Sequence, residues 1–438
     1  MRHAIALVLG LILGLCAPDA FAQQAESDVT AFRRLRAEGL AAAQVDDLTT
    51  AAALLAEADG LIPNHPGLMI LRARLAVAMG DPREALVHYG RYADAGLILN
   101  LSRDEAFADL SARPDHAEAV SQIINQIETN RTPVGSEAIS TLFQIEGASI
   151  VESVIRDEAH DRWLVSQIAG RTIVALAPDG TISPFLRPHP EVSGVLGMAL
   201  DARRGILWAT TTPLPPAIYG EEHNPRFAAT LLEIDAGTGE VMWVYDPPLN
   251  GNDRAFGDLV LAPDGSVFVA DSNSGDIFRL DSPRSELTLF VSGVFGSPQG
   301  MVVIGDRLIV ADYSSGLWQV PLTGGSPARI PAPSHASLIG IDGLMTDGDS
   351  LYAIQNGVAP QRVLRLTLSA DGRAIDTVTV LAANLPELDE PTTGLVLNGE
   401  LVFVSRSQWS DFGPDGALVA PDPAPARIAR LQLDHGDD

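Results

Sequence analysis

The side chains best suited to chemistry stand at one recurring place in this chain. Glu152, Asp258, Gln299, Asp342 and Thr393 each open a short apolar run, and Leu196 opens a sixth. Every run leads through a turn into a second one, as Gly300-Met301-Val302-Val303 leads to Leu308-Ile309-Val310-Ala311-Asp312. If the runs surround one axis, three carboxylates, an amide and a hydroxyl face each other there. Converging carboxylates repel unless a cation neutralises them. Oxygen-only donors favour a hard divalent ion, Ca2+ first, with Zn2+ or Mn2+ as alternatives. The plainer alternative is a channel whose side chains hydrogen-bond turns and water.

The elements that must position these residues begin near residue 137. From there to 438 the period is two, with turn residues about every ten positions. Six strand pairs recur, and the intervals from Gly257 to Gly300 and from Gly300 to Gly343 are both 43 residues. Six repeats with room for four strands each predict a six-bladed β-propeller. The last repeat stops one strand short, and the unpaired run 139–145 is expected to complete it and hide two sheet edges. Four Asp-Gly turns, at 179–180, 264–265, 371–372 and 415–416, are expected on the plain face. The long insertions 212–228, 355–361 and 406–426 fall on the opposite face, with His223 in the first and Trp409 in the third. His189 and His335 lie in connections that open on that face too. Loops gathered on one side of a rigid scaffold are where sites are built.

Residues 27–130 have a different pattern, rich in alanine and leucine at spacings of three and four. Gly39, Ala51 and Leu55 stand 34 residues before Ala73, Ala85 and Tyr89, and a weaker third pass places Ala119 and Ile123. This resembles tetratricopeptide repeats: an all-α segment suited to holding a protein partner rather than to chemistry.

Composition narrows the function further. The 438 residues carry 29 basic and 56 acidic side chains, a net charge of −27, and every basic residue is arginine. The absence of lysine excludes Schiff-base chemistry and a phosphate-loop lysine. So acidic a surface repels nucleic acid. Residues 1–22 read as a secretory signal peptide, with Arg2, an apolar stretch from Ile5 to Leu15, and Ala20-Phe21-Ala22 before cleavage after Ala22. The mature chain then has no cysteine, since Cys16 is removed, and is expected in the periplasm or outside the cell without membrane insertion. Gly-x-Ser-x-Gly is absent, which argues against a serine hydrolase.

Over residues 145–433 the chain resembles the senescence-marker-protein/gluconolactonase/LRE-like propellers. Glu152 in Val-Glu-Ser-Val is similar to the family's metal glutamate, and Ile341-Asp342-Gly343 with Leu351-Tyr352-Ala353 to its metal aspartate element. Pro391-Thr392-Thr393-Gly394 resembles its last-blade motif. Gln299 stands where the family has an asparagine ligand, and Gly257-Asp258 where it has Asn-Asp. The resemblance implies a divalent metal held by Glu152, Gln299 and Asp342, acting on a lactone or ester. Asp258 would be a further ligand or the general base, with His223 and His335 as candidates for proton transfer. The competing expectation is a non-catalytic scaffold that binds partners through its helical repeats and propeller.

Overall fold

The computed structural model describes residues 26–220, 228–248, 253–348 and 350–433. The signal-peptide reading and His223 lie outside the described residues.

Among the described residues the strands form six four-stranded sheets, each a propeller blade with its first strand innermost. The second strands are buried almost throughout, as Val267–Asp271 is along its whole length, because neighbouring blades cover both of their faces. Phe268 and Ala270 of blade 3 pack with Leu308, Val310 and Trp318 of blade 4, all buried. Burying one such leucine or valine is worth about 1.5–3 kcal/mol. In blade 6 the chain ends meet: Ile139–Ile145 pairs antiparallel with Ala426–Gln432, joining Ile139 to Leu431 and Ile145 to Ala426.

The inner strands share a feature that the repeat only hinted at. In five blades the pairing with the second strand slips at the inner strand's start, between Val151 and Val154, Val195 and Met198, Phe256 and Leu259, Pro298 and Met301, and Ile341 and Gly343. Each slip is a β-bulge, a device that re-aims a side chain. The recurring glycines follow from the crowding there. A Cβ on Gly300 would lie 2.5 Å from the Leu344 nitrogen, and one on Gly343 2.3 Å from the Thr392 oxygen. The inner strands thus touch backbone to backbone around the axis.

One expectation needs correction. Only Asp264-Gly265 follows an inner strand, while Asp179-Gly180 and Asp371-Gly372 join third to fourth strands on the same plain face. Asp415-Gly416 lies instead between the second and third strands of blade 6, on the loop-rich face. Asp-Gly encodes a left-handed turn residue, not a position in the blade.

The helical region comprises, among the described residues, six helices: α1 (Asp28–Gln44), α2 (Leu48–Leu61), α3 (Pro66–Ala78), α4 (Pro82–Asp94), α5 (Glu105–Ser111) and α6 (Ala117–Asn130). Asp81 caps α4 by accepting from the Glu84 N–H, with Pro82 in the first turn. Gly39, Ala51, Leu55, Ala73, Ala85 and Tyr89 are all buried. A Cβ on Gly39 would stand 2.8 Å from Leu55, so the glycine sets how closely α1 and α2 approach. None of these helices is long and apolar enough to cross a membrane.

The helices sit on the loop-rich face over blades 4 and 5. Asn64 donates to the carbonyls of Ala336 (2.9 Å) and Pro333 (3.3 Å). Arg362, buried at the seam, donates to those of Ala95 and Gly96. The Ile98 N–H reaches the Ala359 oxygen, and Ile339 enters the core built by α1, α2 and α3.

Candidate functional site at the propeller axis

Glu152, Leu196, Gln299 and Asp342 occupy the same place in their blades, and each is half-buried between better-covered neighbours. Their side chains line a narrow shaft, which leaves them some contact with solvent although protein encloses them on every side. In blade 6 Gly394 pairs with Phe403 as Leu344 pairs with Ala353, so Thr392 takes that place and Thr393, expected there, lies one residue further along.

Asp258 departs from this register. Pairing Phe256 with Asp271, as Pro298 pairs with Asp312, places Gly257 at the axial position. Asp258 is therefore one residue further along the strand, where blades 2, 4 and 5 have Gly197, Gly300 and Gly343. Gly197 gives it room, since a Cβ there would lie 3.0 Å from the Asp258 Cα. The amide oxygen of Gln299 leans toward the space left by Gly257, 3.4 Å from where a Cβ would stand. Its Nε2 donates to Ser297 Oγ at 3.2 Å.

Two of the carboxylates are held from the loops above. Trp409 Nε1 donates to Glu152 Oε2 at 2.7 Å, and Asn356 Nδ2 donates to Asp342 Oδ2 at 2.6 Å. Asn356 also reaches the Pro391 carbonyl, and its Oδ1 accepts from the Tyr313 hydroxyl at 3.1 Å. Trp409 is placed by its neighbour Gln408, a buried residue with φ of 75°. Gln408 accepts from the Ser149 and Ile150 N–H groups and donates to the Gly147 and Ala424 carbonyls, tying blade 6 to blade 1.

The electrostatics are one-sided. Burial first, then the charge of Asp342, holds the Glu152 carboxyl well above its ordinary range, against the opposing Trp409 hydrogen bond. Burial and then Asp342 push Asp258 up to about 8. Burial raises Asp342 to about 6 in spite of the Asn356 bond. Glu390 adds to the negative field at Glu152, and its Oε2 accepts from the Ser410 N–H. No arginine contributes to any of these shifts.

The residues fit a hard cation in donor chemistry, being oxygen-only, and their raised carboxyls have no neighbouring cation to offset the charge of their ionised forms. Among the described residues, however, no three acidic or histidine side chains are grouped closely enough to hold an ion by themselves. A cation here would draw on Gln299 as well as the carboxylates.

His335 lies on the loop-rich face but at its rim. It is exposed, between the two carbonyls that Asn64 holds, and no hydrogen bond ties it to an axial group. Sequence reasoning missed Asn356, Tyr313 and Glu390. A usable signal existed for the first two: each directly follows the end of a second strand, Asp312 or Gln355, in adjacent blades.

These features define a six-bladed propeller with a polar axial site and a helical region docked over the same face. No family model matches the chain, and no curated protein matches it. Among solved structures, it is similar to a gluconolactonase from Xanthomonas campestris at 16% identity, covering 68% of this chain and 91% of that one, with a TM-score of 0.45. It is also similar to virginiamycin B lyase from Staphylococcus aureus (15% identity, 65% and 80% covered, TM-score 0.44). A third is the PQQ-bound aldose sugar dehydrogenase from Streptomyces coelicolor (15%, 67% and 97%, 0.46). Likeness at this level assigns no activity, so function must be read from the chain's own residues.

Proposed function

We propose that the axis is a divalent-cation site, for Ca2+ first and otherwise Zn2+ or Mn2+, and that the chain is a hydrolase of lactones or esters, similar to the senescence-marker-protein/gluconolactonase propellers. The observation that carries this reading is the group of half-buried carboxylates, Glu152, Asp258 and Asp342, with no arginine to balance them. A bound ion would supply carbonyl polarisation and a more acidic water. Glu152, Asp342 and Gln299 are the residues to hold it. Trp409 and Asn356 each engage one carboxylate oxygen, which fixes the rotamer and leaves the other oxygen for the shaft. Asp258, one residue deeper, adds a ligand or accepts a proton as general base. We further propose that residues 1–22 direct export, with the mature protein periplasmic or secreted.

The test combines elemental analysis of purified mature protein with a panel of lactones and aryl esters assayed in Ca2+, Zn2+ and Mn2+. Protein that retains no cation and hydrolyses no member of the panel would sink the proposal.

One observation favours the second reading, a binding scaffold. Blades 2 and 3 present Leu196 and Gly257 to the axis, so two of six positions supply no donor. A scaffold tolerates that loss, with the helices acting as tetratricopeptide-like partner-binding repeats. A specific partner retained from periplasmic extract, together with an inert panel, would favour it over the hydrolase.

A further inference from the structure

A cavity of about 330 Å3 lies between the helical region and the propeller, lined by α1 and the start of α3 on one side and by loops of blades 4 and 5 on the other. That volume suits a small organic molecule. Phe32 and Ile339 give it apolar walls, and Arg33, Arg36, His65 and Tyr313 give it polar ones.

Its charge is opposite to that of the axis. Arg33 and Arg36 are three positions apart on α1 and so share a face. Arg34, between them, is already engaged by Glu26 and Glu38. Arg33 spends its bonds on neutral partners, the Gly296 carbonyl and Ser314 Oγ. Arg36 lines the cavity and has no carboxylate within ion-pair distance among the described residues. His65 accepts the Leu68 N–H on Nδ1, which leaves Nε2–H as a donor. Burial, with Arg36 nearby, lowers this histidine to about 4, so at neutral pH it contributes a hydrogen bond and no charge.

The cavity also communicates with the axis. Tyr313 forms part of its wall and, through its hydroxyl, joins Asn356 and then Asp342. Gly357 makes this possible: a Cβ there would stand 2.5 Å from the Tyr313 hydroxyl oxygen.

We propose that this cavity is the outer half of the ligand site, where Arg36, with Arg33 beside it, holds the carboxylate of a small organic acid. The inference deepens the hydrolase reading and rests on it for the word substrate: the preferred lactone or ester carries a carboxylate. The helices then form one wall of the site, and the opposed charges orient the molecule. Its anionic end is drawn to α1 and kept from the acidic shaft, which leaves its neutral carbonyl end toward Asp342.

The test measures binding of phenylacetate and of its neutral isostere phenylacetamide to the full mature chain by calorimetry. Phenylacetate should bind at least tenfold more tightly, and Arg36→Ala should remove that preference, since a charge-assisted pair is lost. Arg36→Lys should keep part of it, and an unchanged melting temperature in both variants would show that the fold is intact. Equal affinity for the two probes, no binding of either, or an Arg36→Ala variant that keeps the preference would overturn the proposal. Hydrolysis is scored separately, as the ratio of kcat/KM for a carboxylated lactone to that for its neutral parent. Arg36-dependent binding without any hydrolysis would refute the hydrolase reading and leave the anion site standing.

Discussion

The substitution Asp342→Asn tests the electrostatic reading of the axis most directly. Asp342 is the shared neighbour: its charge helps raise Glu152, Asp258 and Tyr313. Its own carboxyl is pushed from 3.8 to about 6. A carboxyl raised in the folded state holds a proton that the unfolded chain gives up. Its stabilising contribution is therefore complete below about pH 4 and is lost as pH rises through about 6. Two units correspond to about 3 kcal/mol at full effect, and water in the shaft reduces this to about 1–2 kcal/mol. Asparagine keeps an oxygen for the Asn356 N–H and removes the charge. In chelator at pH 8, Asp342→Asn should be more stable than the natural chain by that amount, seen as a few degrees of melting temperature. At pH 3.5, where the carboxyl is largely protonated in the unfolded chain as well, the two should nearly coincide. Calcium should raise the melting temperature of the natural chain at pH 8 and have little effect on the variant. A variant that is less stable at pH 8 in chelator, yet keeps its calcium response, would refute the reasoning.

Three further outcomes are expected. Trp409→Phe removes the N–H that holds Glu152 and should weaken cation binding about tenfold, read as a shift in the calcium midpoint; an unshifted midpoint would detach the loop from the site. Gly300→Ala pushes a Cβ onto the backbone of Asp342 and Leu344 and should cost about 2 kcal/mol or more in denaturant unfolding; a cost below about 0.5 kcal/mol would mean that the inner strands can part. Arg362→Ala frees the Ala95 and Gly96 carbonyls and leaves Gln355 Oε1 without its buried donor. Hydrogen exchange should then quicken in α4 and around 95–98, and unchanged protection there would show that the helices are held by other contacts.

The sequence revealed as much as it did because the propeller repeats one physical problem six times. Backbone must meet backbone near the axis, so Gly197, Gly300 and Gly343 recur, and the residue before each is turned toward the shaft by a bulge. Composition and spacing carry that signal. Blade 3 breaks it: Asp258 occupies the glycine's place, so choosing the carboxylate in preference to the register put it one residue too high. The docking of the helices left no comparable trace. Asn64, Ile339 and Arg362 look like ordinary surface or core residues, and only a three-dimensional arrangement makes partners of positions more than 260 residues apart. The same holds for Arg36, which in sequence is one of three arginines on a solvated helix. If the charged half of the ligand site comes from α1 and the acidic half from the propeller, neither segment alone contains the site. A search confined to the propeller motif would then find the axial oxygens without the group that selects what reaches them.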